Sequence, residues 1–318
     1  MTGSASGFNA EWVPPLMACG ATIVPSARLA AYTTFRLGGP CRALIDCTSR
    51  GMLKECAAIL RRHGVRPLLI GGGSNLLVSD RGIDEVVVRF VDARPDIRVE
   101  GTSVHVSAGV ALDDLARVAV EHGLDGLVSC SGIPGTVGGA LAGNAGAFGE
   151  QIGDVVVSLE VMLPDGRLVE FSRDACGFAY RHSAIPASGA WICSARLDLR
   201  NGDREVMLRR RSEILALRAS KHPDWRVIPT AGSFFKNIEP TSRAERRQAA
   251  GWFLEQAGAL AMREGGAHLF SRHANIIVAD ADCRASDVWT LSQRMADAVK
   301  ERFGLDLQRE VKLIGSFP

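Results

Sequence analysis

The sequence predicts an α+β protein of two domains, and three observations carry that reading. Short apolar strands alternate with amphipathic helices along most of the 318 residues. Two glycine-rich loops, GGGSN from Gly71 and a long run from Gly126 to Gly149, both fall in the first half of the chain. A polar break at Asn201-Gly202-Asp203 then precedes an arginine-rich helix, where the composition changes enough to mark a boundary. The expected division is a loose tail over 1–20, a cofactor domain over 21–202 with lobes at about 21–85 and 86–202, and a second domain over 203–318. At 47% hydrophobic the chain can bury the cores that two domains require.

Lys plus Arg at 37 against Asp plus Glu at 35 leaves a net charge of +2, which implies no general attraction to nucleic acid or to an anionic membrane. The eight cysteines form no CxxC pair and no zinc spacing, so they read as buried thiols of a reducing cytoplasm with no metal site. No Lys or Arg precedes Arg28, so the leader lacks the start of a secretory signal and reads as a tail.

Thr33 to Pro40, TTFRLGGP, is turn-rich, and its Arg36 is either a phosphate contact or a solvated arginine before a tight turn. Leu53, Cys56, Ala57 and Leu60 then recur at helical spacing and RPLLI follows as a buried strand, together a β-α-β unit. From Val86 come the strands EVVVRF and VHVSAG, and next a helix with Ala111, Leu112, Leu115, Val118 and Ala119 on one face, ended by Gly123. VVVSLEVML and RLVEFS flank Pro164-Asp165-Gly166 as a β-hairpin, and WICSARLDL is a further strand. In the following helix Arg209, Arg210 and Arg211 read as a solvated face. The last domain holds AGSFFKN, a helix around GWFLEQAGAL, the strand NIIVA and a final strand VKLIG. Between those strands a helix runs from Ser286, its expected N-cap, to Phe303, with Val288, Leu291, Met295 and Val299 inward and Gly304 as its stop.

The glycine loops carry the chemistry. The run from Gly126 to Gly149 has eight glycines and no charge, yet those glycines with Pro134 and Asn144 exclude a lipid-exposed span. Glycines let a backbone approach something closely, and a pyrophosphate or another flat polar cofactor fits better than a linker, which would be rich in Ser and charge. Gly71, Gly72 and Gly73 with Ser74 and Asn75 form the second loop, at a strand's end. Leu76 breaks the GxGxxG fingerprint and no GK[ST] follows, so neither common nucleotide fold is indicated.

The motifs GGGSNLLVSDRG, GIPGTVGGALAGNAGAFGEQIGD, FAYRHS, AGSFFKN, HLFSRHANIIVA and FGLDLQREVKLIG occur in an order that resembles the UDP-N-acetylenolpyruvoylglucosamine reductase (MurB) family over about residues 21–315. The resemblance implies a two-lobed FAD domain of the vanillyl-alcohol-oxidase (PCMH) type and a C-terminal α+β domain for a UDP-sugar. It implies non-covalent FAD and NADPH as hydride donor, in peptidoglycan precursor synthesis, with no nucleic acid, membrane or obligate protein partner. Cofactor contacts would come from Arg36, Gly71, Gly72, Gly73, Ser74, Asn75, Leu76, Gly132, Pro134, Gly135, Thr136, Gly139, Ala140, Asn144, Gly146 and Ala147. Catalysis would fall to Arg181, Ser233 and Glu310, and substrate contacts to Tyr180, Lys221 and Asn237. Each catalytic match fits a need: a guanidinium for an enediolate, a hydroxyl to protonate carbon, and a protonated carboxyl beside the same oxygens. Ile238 stands where the family usually has Pro, and only 50 positions separate Ser183 from Ser233, which resembles the shorter subclass. Two other readings stay open, a flavin oxidase acting on a sugar or lactone and a silent UDP-sugar-binding protein.

Overall fold

The computed structural model describes residues 10–239 and 247–318. Its contacts divide the chain into two units that interleave in sequence. Unit one takes the chain up to Ala27 with Cys41–Gly72 and Asp84–Ala216, and unit two takes Arg28–Pro40, Gly73–Ile83 and Leu217–Pro318. Among the described residues no helix is long and apolar enough to cross a membrane.

The two larger sheets of unit one lie around a shared apolar core. The first has the order Thr22–Pro25, Ala43–Cys47, Val86–Phe90, Leu68–Ile70, and its last three strands are parallel. Parallel strands are covered on both faces, which is why ALIDC and VVVRF read as nearly unbroken apolar runs. Val86–Phe90 therefore lies between Ala43–Cys47 and Leu68–Ile70, so the first lobe ends past position 85. The helix Arg50–Arg62 makes the β-α-β crossover and buries Leu53, Cys56 and Leu60. The second sheet is antiparallel throughout, ordered Leu168–Ser172, Val156–Met162, Trp191–Asp198, Ser103–Ser107, Ile97–Glu100. Its first pair is the expected hairpin, with Met162 opposite Leu168. The helix Leu112–Glu121 buries Leu115, Ala116, Ala119 and Val120, while Ala111 stays extended before it.

Two boundaries differ from the sequence reading. The first nine residues lie outside the described residues, but the rest of the leader is ordered: the helix Val13–Ala18 starts on two prolines, and Trp12 and Leu16 enter the core. The polar break at Asn201-Gly202-Asp203 is a helix cap. Asp203 accepts the N–H groups of Glu205 and Val206 and so begins the helix Arg204–Lys221. Met207 and Ile214 of that helix pack on Val120 and Val128, and its Arg211 is only 12% exposed, so the face is not simply solvated.

Unit two has an antiparallel sheet ordered Thr230–Ser233, His273–Ala279, Ala267–Phe270, Arg263–Glu264, and a parallel pair of Leu76–Val78 with Lys312–Ile314. The helix Ala285–Phe303 buries Val288, Leu291, Met295 and Val299 and stops at left-handed Gly304. Ile238 donates its N–H to Gln248 and accepts in return, a bond that a proline there would lose.

The cap of Ala285–Phe303 is not Ser286. Its first N–H groups, those of Ala285 and Ser286, bond the Asp80 carboxylate at 2.7 and 2.9 Å, from a loop over two hundred positions earlier. Such caps contribute about 1 kcal/mol, up to about 2. Asp80→Ala should therefore lower the unfolding free energy by that much, seen as a lower urea midpoint at an unchanged m-value, while Ser286→Ala should cost little. Equal costs for the two variants in urea titrations would assign the cap wrongly.

Candidate active site

In unit one the two glycine loops press backbone against backbone. A Cβ at Gly71 would fall 2.3 Å from Thr136 Oγ1, and one at Gly72 would fall 3.3 Å from the Gly135 Cα. No side chain fits at 71 while Thr136 stands where it does. Thr136 Oγ1 also accepts the Gly139 N–H and so caps the helix Val137–Gly143. Gly146 is likewise excluded from carrying a side chain by the Glu150 carbonyl, and Gly138 packs tightly on Ala108. Gly146 and Ala147 pair with Gln151 and Glu150 in a short hairpin. For several of these glycines the close neighbour is therefore the protein itself. Gly149 is open, and so are Gly139 and Gly143, since a Cβ at 139 meets nothing nearer than 3.5 Å and one at 143 or 149 nothing within 4 Å. Ala140, between them, is buried in the helix.

The turn before that helix, Gly132 through Gly135 with Pro134 inside it, has left-handed glycines at both ends. Gly132 donates its N–H to Asp113 at 2.7 Å, and the same carboxylate takes a two-pronged pair from Arg211 at 2.7 and 2.9 Å. Burial alone would raise the Asp113 pKa. The Arg211 and Gly132 bonds outweigh it and hold the carboxyl below its usual range, so the anchor is charged at any pH near neutrality. Asp113 and Arg211 were legible only as an ordinary acid and a solvated base.

Arg181 sits in a tight turn. Ala179 and His182 exchange backbone hydrogen bonds, and Arg181 between them has φ of 51°, the left-handed region that non-glycine residues seldom occupy. Its guanidinium lies 5.3 Å from the centre of the Tyr180 ring. Asn144, expected to touch the cofactor, is 1% exposed and spends its side chain on the protein: Oδ1 accepts Gly153 N–H, and Nδ2 donates to Gln151 Oε1 and to the Ala179 carbonyl.

In unit two Ser233 ends the strand Thr230–Ser233 opposite Ile276. Glu310 donates its N–H to the carbonyl of Phe234, the residue after Ser233, at 2.8 Å, so these two catalytic candidates are joined through one peptide. Asn75 Nδ2 bonds the Glu310 carbonyl and Asn75 C=O takes the Lys312 N–H, which makes Asn75 a brace of this segment. Asn275 completes it, accepting from Phe235 N–H and donating to Phe235 C=O at 2.9 and 2.8 Å. It was missed because an Asn at the head of an apolar strand gives no signal of its own. Gly73 belongs here too, since a Cβ would fall 2.0 Å from the Tyr32 carbonyl; the Ser74 carbonyl faces Thr34, and Leu76 opens the strand beside Lys312.

The remaining candidates are mixed. Arg36, at φ 54°, donates to the carbonyls of Arg226 and Val227. Asn237 Oδ1 accepts the Ala250 N–H at the start of the helix Ala250–Gln256, so part of its amide is structural. Lys221 is exposed at the end of its helix. Beside it His222 packs 5.3 Å from His273, ring to ring, and its pKa is pushed down to about 4, by burial first and then by His273, Arg218 and Lys221.

Residues 41–172 match the model of an FAD binding domain, and residues 222–314 match that of the UDP-N-acetylenolpyruvoylglucosamine reductase C-terminal domain. The chain is 37% identical to the UDP-N-acetylenolpyruvoylglucosamine reductase of Moorella thermoacetica over 92% of its own length and 93% of that protein's. It is 34% identical to that of Anoxybacillus flavithermus over 92% and 95%. The crystal structure of the Thermus caldophilus enzyme matches with a TM-score of 0.75 at 32% identity, covering 93% of this chain and 99% of that one. The chain belongs to the UDP-N-acetylenolpyruvoylglucosamine reductase family.

A reductase of this family needs FAD, and the glycine run fits one. Ser129 and Ser131 are fully buried in it, yet their hydroxyls find no partner among the described residues. A buried hydroxyl left so costs about 1–3 kcal/mol, which a polar cofactor repays. With open Gly139 and the left-handed turn at Gly132 and Gly135, these are the groups of this loop suited to holding FAD. Neither serine stood out among the candidates read from the sequence.

Asp113→Ala releases the Gly132 turn. A hydrogen bond to a charged group contributes about 1.5–3 kcal/mol, so FAD affinity should fall by roughly tenfold or more. Titration of apoprotein with FAD, followed by flavin fluorescence, checks this, and an unchanged Kd would free the turn from any part in cofactor binding.

Proposed function

We propose that this chain is a UDP-N-acetylmuramate dehydrogenase, reducing UDP-N-acetyl-3-O-(1-carboxyvinyl)-glucosamine to UDP-N-acetylmuramate for peptidoglycan synthesis. The observation that carries the reading is that relatives of that activity match more than nine-tenths of the chain. The motif order and the joining of Ser233 to Glu310 through Phe234 support it. Bound FAD, held without a covalent link, supplies the relay that takes hydride from NADPH and gives it to the enolpyruvyl ether.

The protein's own residues manage charge and a proton. Hydride at the methylene carbon leaves negative charge on the next carbon and its carboxylate. Arg181 meets that charge with a two-pronged cation, better in the transition state than in the bound ether. Glu310, protonated, donates to the same oxygens. Ser233 delivers the proton to carbon, and Gly232 before it leaves space, since a Cβ there would meet nothing within 4 Å. Tyr180 and Asn237 contact the substrate, and Lys221 its diphosphate, as a hydrated point charge suits. With NADPH and a UDP-sugar as substrates, the enzyme works in the cytoplasm and needs no obligate protein partner.

Ser233→Ala tests the assignment. Flavin reduction by NADPH should be nearly untouched, while reoxidation by the enolpyruvyl sugar slows by a factor of about 10² to 10⁴, the range for losing a general acid. Stopped-flow absorbance follows each half-reaction, and an alanine variant that slows both equally, or neither, contradicts the role.

A further inference from the structure

Asn144 has a function that its place in the glycine run hides. We propose that Asn144 is a positioning residue for Arg181, holding the turn that aims the guanidinium, and not a cofactor contact. The proposal rests on Arg181 acting on the substrate, as argued above.

The geometry is specific. Asn144 ends the helix Val137–Gly143 in a left-handed conformation with φ of 46°. Its amide orientation is fixed by its neighbours, because Oδ1 faces an N–H, that of Gly153 at 3.0 Å, and Nδ2 faces two oxygens. One is Gln151 Oε1 at 3.1 Å, and the other is the Ala179 carbonyl at 2.8 Å. Both N–H groups are therefore committed to the protein, with none left to offer a ligand.

The Ala179 carbonyl is the acceptor that closes the Arg181 turn, taking the His182 N–H at 3.1 Å. A second tether lies on the far side of the same turn: buried Ser183 donates its hydroxyl to the Ala142 carbonyl at 2.8 Å. The turn is pinned at both ends to the last residues of one short helix. That constraint matters because Arg181 is left-handed, a conformation costing about 1–3 kcal/mol that surrounding structure must impose. Without the pins the turn relaxes toward ordinary φ and the guanidinium swings with it. A displacement of about 1 Å can cost a catalytic step about 10²-fold.

Asn144→Asp discriminates best. It keeps the shape and an acceptor for Gly153, and it turns a carboxylate oxygen on the Ala179 carbonyl. With holoenzyme, reoxidation by the enolpyruvyl sugar should slow by about tenfold to a hundredfold. FAD content, the visible spectrum and reduction by NADPH should stay as in the parent, and KM for the sugar should move little. Ser183→Ala should give the same signature in milder form, which covers the case in which Asn144→Asp folds poorly. In an Arg181→Ala background neither change should slow reoxidation further. Loss of FAD, or equal slowing of both half-reactions, would make Asn144 a cofactor or structural residue and overturn the proposal. Full reoxidation by both tether variants while Arg181→Ala is slow would overturn the positioning role alone. A fully active Arg181→Ala would overturn the reading on which it rests.

Discussion

The two glycine loops of unit one depend on one contact, the approach of Gly71 to the hydroxyl of Thr136, where a Cβ would stand 2.3 Å away. Packed cores tolerate no such overlap, so the two loops fix each other. Their consequences run in one direction along the chain. Thr136 caps the helix Val137–Gly143, the helix ends at Asn144, and Asn144 holds the turn that carries Arg181. The left-handed backbone at Arg181 is thus supported by a sequence of local bonds that begins at a glycine more than a hundred positions upstream.

Unit two is braced by two amides. Asn75 and Asn275 each bond backbone groups that a regular ladder would leave unmet, at Glu310 and at Phe235, and buried backbone groups cannot be left so. The result places Glu310 and Ser233 on either side of Phe234 without any side-chain contact between them being required. Segments held by backbone hydrogen bonds are hard to displace, which suits the proton delivery proposed for Ser233.

Much of this was legible in the sequence because the signals were periodic or chemical. Val288, Leu291, Met295 and Val299 repeat with the helix, and Pro164-Asp165-Gly166 can hardly be anything but a turn. What escaped was whatever depended on distant partners. Ser286 looked like a cap, yet Asp80 supplies it from another segment. Arg211 looked solvated until Asp113 appeared beside it, and the bond from Asn144 to the Ala179 carbonyl left no trace in the sequence because a motif names residues and not the direction of their side chains. The interleaved units were hidden for a related reason, since Arg28–Pro40 and Gly73–Ile83 join the later chain without any change of composition.

The central claim is that electrons pass from NADPH through bound FAD to an enolpyruvyl UDP-sugar on this chain. An anaerobic titration tests it most directly: stoichiometric NADPH should bleach the flavin, and stoichiometric UDP-N-acetyl-3-O-(1-carboxyvinyl)-glucosamine should then restore its colour with formation of UDP-N-acetylmuramate. A colourless protein, or a bleached flavin that oxygen recolours and the enolpyruvyl sugar does not, would contradict it.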